Sequence, residues 1–197
     1  MLNRLHFFAR AYTRKGLFQL FMVCAFPIHI WAFFTAFRDF SWVAERTNVW
    51  DAIGLLSYAV VFALVETTGI FFIVALLGFL VPHRWDTDTR LALIGNLFLV
   101  VVVWSILGQV YSLLGYPLPK WVIDFLVSTN HPLRTLWGGV ILFSAISAIV
   151  PTVLIIRSGK LKGMIIETFD RISLLSSVYV FFDLVGIVII VIRNVPT

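Results

Sequence analysis

Five long apolar segments constrain this chain more than any other feature of its sequence. They cover residues 17–37, 52–81, 91–114, 135–156 and 172–192, and each reaches the roughly 20 residues that a helix needs to cross a bilayer core. Hydrophobic residues make up 60% of the chain and charged residues 13%, so lipid is the solvent for most of it. The segments lack the strict alternation of barrel strands, and helices satisfy their own backbone in lipid. The sequence predicts an all-α, polytopic bundle of five transmembrane helices, with residues 1–197 as one integral membrane domain.

Basic residues lie between these spans and are divided unevenly between the two sides. With the N-terminus inside, the inner side holds ten of them: Arg4, Arg10, Arg14, Lys15, Arg84, Arg90, Arg157, Lys160, Lys162 and Arg171. The outer side holds five: Arg38, Arg46, Lys120, Arg134 and Arg193. The positive-inside rule therefore predicts an inner N-terminus and an outer C-terminus, in a plasma (inner) membrane. The same placement accounts for the net charge of +5 without a nucleic-acid partner.

Two segments outside the spans are predicted to form short helices at the membrane, the first on its surface and the second interfacial or re-entrant. Residues 2–15 alternate apolar side chains at helical spacing with basic ones, as in helices that lie on an anionic membrane surface. Residues 117–131 are too apolar for a free loop and too short to cross the bilayer. We expect an N-terminal interfacial helix and a short outer interfacial helix. A second basic stretch, residues 160–171, invites the same interpretation as the first.

Glu66 and Asp183 are lone carboxyl residues inside apolar runs. Acidic groups at bilayer depth are costly and usually face a protein interior or a water-filled cavity. Counted at 1.5 Å of rise per residue from the inner ends of their spans, these two carboxyls, His29 and Ser105 lie at similar depths of roughly 16 to 22 Å. We therefore predict an intramembrane polar cluster of Glu66, Asp183, His29 and Ser105, with Gln109, Tyr179 and Ser144 as supporting polar residues. The alternative is that each residue serves helix packing, since every span carries a face of small or polar residues.

Several kinds of chemistry find no support in the sequence. His29 is the only histidine within a span, so paired axial ligands for haem are missing, and the other histidines are too dispersed for a zinc site. Cys24 is the only cysteine, which excludes an intramolecular disulfide. Phosphate-binding loops and nucleophile elbows are absent. We expect no cofactor, no metal and no assigned catalytic residue.

Three functions remain open. The first is a non-enzymatic membrane subunit or assembly partner of a larger membrane system, with the lipid bilayer and other membrane subunits as its partners. The second is a small proton-coupled transporter or channel in which Glu66 and Asp183 titrate. The third is an intramembrane enzyme acting on lipid, with the same carboxyls as general acid and base.

Overall fold

The computed structural model describes residues 12–82, 85–112 and 115–195, and within these ranges all regular structure is helical. The α-helices of these described ranges are α1 (Arg14–Arg46), α2 (Val49–Leu77), α3 (Thr87–Ser112), α4 (Lys120–Ser128), α5 (Pro132–Arg157) and α6 (Gly159–Asn194). A single 3₁₀ turn, Gly78–Leu80, follows α2. The expected all-α architecture is confirmed.

Five of these helices are long and apolar enough to cross a membrane, which confirms the predicted number of spans. The two outermost in sequence are longer than predicted. The first helix, α1, has 33 residues and continues nine residues beyond position 37, while α6 has 36 residues and begins 13 residues before position 172. Residues 160–171 are consequently the first three turns of α6 and continuous with the span, rather than a separate surface segment.

Helices α1, α2 and α6 form the tight centre of the bundle. Lys15 lies 3.2 Å from Asp170, and Ser176 Oγ donates to the Met22 carbonyl at 2.9 Å, so α1 and α6 run parallel. The second helix, α2, runs antiparallel to both. At the end where α6 finishes, the Arg193 guanidinium donates to Asp51 Oδ1 at 2.7 Å, close to the start of α2.

Helix α3 joins this centre through its first half only. Leu91, Ile94 and Phe98 are buried in one apolar cluster with residues of α1, α2 and α6. A Cβ at Gly95 would lie 2.5 Å from the Phe169 ring, so glycine permits the close approach of α3 to α6 there. In the second half of α3, Val101 is 55% exposed. The helix therefore meets the bundle at one end and leaves it open towards the other.

The end of the bundle at which α1 begins is held together by polar contacts. Lys162 Nζ lies 2.8 Å from Asp86 Oδ2, and this ammonium group holds the pKa of the Asp86 carboxyl below its ordinary value. Tyr12 donates to the Ala75 carbonyl at 3.3 Å, and burial raises the pKa of its phenol to about 12. These contacts link α6 to the start of α3, and the chain before α1 to the end of α2.

Helices α4 and α5 lie at the periphery. Ile155 is the one buried residue of α5, and Trp104 Nε1 of α3 donates to Ser147 Oγ at 2.9 Å. Helix α4 has no buried residue. It lies within the predicted outer segment 117–131, but its position at a membrane surface stays a prediction. The predicted N-terminal interfacial helix falls mostly on residues 1–11, outside the described residues.

Candidate functional site

The seven sequence-predicted polar residues occupy three places in the bundle. His29, Asp183 and Tyr179 lie together on the contact between α1 and α6. Glu66, Ser105 and Gln109 line a groove bounded by α1, α2 and α3. Ser144 lies half-buried on α5, where its carbonyl accepts from Ser147 Oγ.

His29 and Asp183 form a sealed pair. Both residues are 0% exposed, and His29 Nε2 lies 3.0 and 3.2 Å from the two carboxylate oxygens of Asp183. The other ring nitrogen, Nδ1, lies 2.8 Å from the carbonyl oxygen of Ala25. Tyr179 stacks on the imidazole with ring centroids 5.7 Å apart and planes 4° from parallel. Position and orientation of the imidazole are thus fixed from three sides.

The hydrogen-bond geometry defines the proton content of this pair. A carbonyl oxygen can only accept, so the proton of the Ala25 contact belongs to His29 Nδ1. The contact between Nε2 and the carboxyl group needs one further proton, which sits either on Nε2 or on Asp183. In both arrangements the pair carries no net charge. Burial away from water is therefore far less costly than burial of an isolated carboxylate.

This pair is one of several hydrogen-bonded contacts that form a polar seam between α1 and α6. Gln19 Nε2 donates to Asp170 Oδ1 at 2.6 Å, three residues before Met22 on α1 and six residues before Ser176 on α6. The contact between His29 and Asp183 follows the contact between Met22 and Ser176 by seven residues on both helices. A seven-residue repeat is the period at which parallel helices keep the same faces in contact. The seam therefore also fixes the register of α1 against α6.

The second site is a groove that runs between α2 and α3. It has a volume of about 800 Å³. Its walls come from α2, between Leu55 and Leu77, and from α3, between Ile94 and Gln109; its floor comes from α1, between Pro27 and Thr35. Because α3 packs against the centre of α1, α2 and α6 through its first half only, the space between α2 and α3 stays open along the second half of α3. Most lining side chains are apolar.

Glu66 is exposed in this groove, near the middle of α2. No side chain of the described residues forms a hydrogen bond or ion pair with its carboxylate. The hydroxyl of Ser105 is directed to the Val101 carbonyl of its own helix, at 2.9 Å. The structure thus places Glu66 and Ser105 on a groove that His29 and Asp183 do not line. The predicted cluster of four is divided into two sites, and a functional role for either stays a prediction.

Sequence reasoning missed several residues at these sites. Trp31, Thr35 and Tyr58 also line the groove, and Tyr58 Oη accepts from the Asn194 amide at 2.9 Å. A signal for Tyr58 existed, since it precedes Glu66 by eight residues and so lies near the same face of α2. The hydrogen bond between Arg193 and Asp51 had no such signal, because it depends on which helix ends meet.

Neither a metal site nor a similarity to a known protein assigns a function to the two sites. Within the described ranges, no group of three or more His, Cys, Asp or Glu residues is arranged to hold a metal ion. A scan against protein-family models, a search of curated proteins and a search of solved structures each found no match to this chain. The five long apolar helices make the chain an integral, multi-span, helical membrane protein.

Proposed function

We propose that this protein is a non-enzymatic membrane subunit that seats a transmembrane helix of a partner protein in the groove between α2 and α3. The observation that carries the proposal is the length of the groove. From Leu55 to Leu77 it follows α2 for 22 residues, which is about 33 Å at the helical rise. This length matches the roughly 30 Å thickness of a bilayer core.

The pattern of the walls supports a helical occupant. Lining residues of α2 recur in steps of three and four, as in Leu55, Ala59, Phe62 and Glu66. The wall on α3 repeats the pattern from Ile94 to Gln109. Two such stripes on neighbouring helices form ridges and grooves that accept a third helix.

The volume of the groove indicates how deeply such a helix would sit. A helix about 10 Å in diameter and 33 Å long occupies roughly 2,600 Å³, whereas the groove offers about 800 Å³. The groove therefore receives the side chains of one face, and the rest of the partner helix faces lipid or other chains. A shallow binding groove of this kind is expected for a subunit that packs beside its partner helix rather than around it.

The two carboxyl groups favour this function over the other candidates. A proton carrier needs its titrating groups to reach each side of the membrane in turn, but Asp183 is enclosed with His29 at 0% exposure. An acid–base enzyme needs two cooperating groups on one substrate, and Asp183 does not line the groove that holds Glu66. Assembly requires neither condition. With the predicted orientation, the N-terminal end of the bundle would face the cytoplasm of a plasma (inner) membrane.

Position-specific photocrosslinking in native membranes tests this proposal. A benzophenone amino acid is placed in turn at Phe62, Ile73 and Val101 in the groove, and at Ile141 and Phe143 on the exposed face of α5 as matched controls. We expect discrete protein adducts of one mass from the groove positions and lipid adducts alone from α5. Lipid adducts alone at every position would contradict the proposal.

A further inference from the structure

The groove holds one ionisable group with no internal partner, and this group restricts what can occupy it. The Glu66 carboxylate is exposed to the groove and makes no hydrogen bond or ion pair with a described residue. The side chains beside it, such as Phe62, Ala63 and Ile70, are apolar. An occupant with a purely apolar face would enclose the carboxylate without any hydrogen-bonding or ionic partner, at a high cost in free energy.

We infer that the partner helix carries a basic side chain at the depth of Glu66, so that a lysine or arginine pairs with this carboxylate in the assembled complex. The inference rests on the proposed function and deepens it by naming the chemistry of the partner. An opposite charge within a few ångströms stabilises the ionised carboxylate, and in low dielectric this attraction is strong. The Gln109 side chain lines the same groove and offers a further acceptor to such a cation.

The basic group comes from a different protein rather than from a second copy of this chain. Between Lys15 and Arg38, and again between Arg46 and Arg84, the sequence contains no lysine or arginine. The central parts of α3, α5 and α6 are equally free of them. A second copy thus has no basic residue in mid-membrane to present to Glu66. Charge complementarity selects a partner of another sequence.

Association with designed transmembrane peptides tests the inference without knowledge of the natural partner. The full chain, in lipid bilayers, is mixed with three labelled 21-residue leucine-rich peptides: one with a central lysine, one with a lysine near its end, and one with leucine only. Energy transfer from a label at the outer end of α2 reports association. We expect the central-lysine peptide to bind at least tenfold more tightly than the other two.

Two variants assign the effect to the carboxylate. Glu66→Gln keeps the shape of the side chain and should reduce the advantage of the central-lysine peptide to less than threefold. Glu167→Gln changes an exposed glutamate outside the groove, paired with Arg171 at 2.7 Å, and should leave the tenfold advantage intact. The inference is overturned if wild-type protein binds the central-lysine and leucine-only peptides equally, or if Glu66→Gln keeps the preference.

The helix-binding role of the groove and the basic residue of the partner are tested by separate outcomes. Equal binding of all three peptides, with crosslinks from a benzophenone amino acid at Val101 to the peptides, would support the groove as a helix-binding site. It would contradict the inference that the partner helix carries a basic residue. Absence of peptide crosslinks at Val101, together with lipid adducts alone in native membranes, would contradict the helix-binding role itself. A lysine preference with crosslinks at Val101 supports both.

Discussion

At the scale of single residues, the two sites differ in how a charge is accommodated within the membrane. The His29–Asp183 pair holds one proton on Nδ1 and one between Nε2 and the carboxyl group. The pair therefore carries no net charge and can be buried away from water. Glu66 has no such partner within the described chain and faces the groove. Glu66 is therefore the carboxyl group that can still form an ion pair with another molecule, while the contact of His29 with Asp183 holds α1 against α6.

Breaking the sealed pair should destabilise the protein strongly. Replacing His29 by leucine leaves Asp183 buried without its partner, and we expect a loss of about 3 to 5 kcal/mol of unfolding free energy. Replacing both residues by leucine should restore most of this loss, since well-packed apolar residues often substitute for a buried ion pair. Reversible unfolding in mixed detergent and SDS measures both. A double variant as unstable as His29→Leu alone would contradict the account of the pair.

Two adjacent threonines of α2 provide a second prediction at this scale. Thr67 is 0% exposed, and its hydroxyl has no hydrogen-bond partner among the described residues, whereas Thr68 donates to the Leu64 carbonyl at 2.8 Å. Valine has the same shape without the hydroxyl. We expect Thr67→Val to raise the unfolding free energy by about 1 kcal/mol, because an unsatisfied buried polar group is costly. Thr68→Val should give no gain, and a gain from Thr68→Val alone would refute the assignment.

At the scale of helices, small residues decide how closely neighbours approach. A Cβ at Gly186 of α6 would lie 2.8 Å from Val60 Cγ2 and 3.1 Å from the Ser57 carbonyl oxygen of α2. In lipid, where apolar surface gains nothing by leaving water, such close packing is a main source of association between helices. The contact of α2 with α6 therefore depends on glycine at this position.

Adding one methyl group at Gly186 tests this dependence. Gly186→Ala should lower the unfolding free energy by about 1 to 3 kcal/mol, as overpacking does in well-packed interiors. Gly139→Ala on α5 is the matched control, because a Cβ there meets nothing within 4 Å. Helix propensity favours alanine over glycine by about 1 kcal/mol, so Gly139→Ala should be neutral or stabilising. Equal effects of the two substitutions would show that α2 and α6 are not in close contact.

The helices themselves could be predicted from the sequence, but their ends could not. Apolar runs define the five spans because the hydrocarbon core selects residues by polarity alone. The extra nine residues of α1 reach through charged positions to Arg46, and the first turns of α6 are similarly polar. A helix outside the core keeps its backbone hydrogen bonds in water, so hydropathy carries no signal for where it stops.

At the scale of the whole molecule, three of the five spanning helices form a tight centre, and the other two, α3 and α5, are added at one side. Helices α1, α2 and α6 are linked by the seam, by Gly186 and by the contact of Arg193 with Asp51. Helix α3 packs against this centre through half its length, and α5 adds only Ile155 to the buried interior. The groove arises from this uneven arrangement, since α3 leaves α2 uncovered where Glu66 lies.

The level of His29 with Asp183 along the bundle could be derived from the sequence, whereas position around the helix axis could not. His29 and Asp183 were placed at similar depth by counting residues, and they meet in the structure. Glu66 was placed at the same depth, yet it faces the groove. Which face of α2 meets α1 and which meets α3 depends on packing among all five spans, and no single segment encodes that choice.

Native mass measurement after extraction in mild detergent tests the central claim most directly. We expect the 22.4 kDa chain to be recovered in a complex with one other membrane protein, and Ala59→Trp, which fills the groove, to release the free chain. Ala145→Trp, on the exposed face of α5, should leave the complex intact. A wild-type chain that is monodisperse and without a protein partner, or a complex that survives Ala59→Trp, would contradict the account.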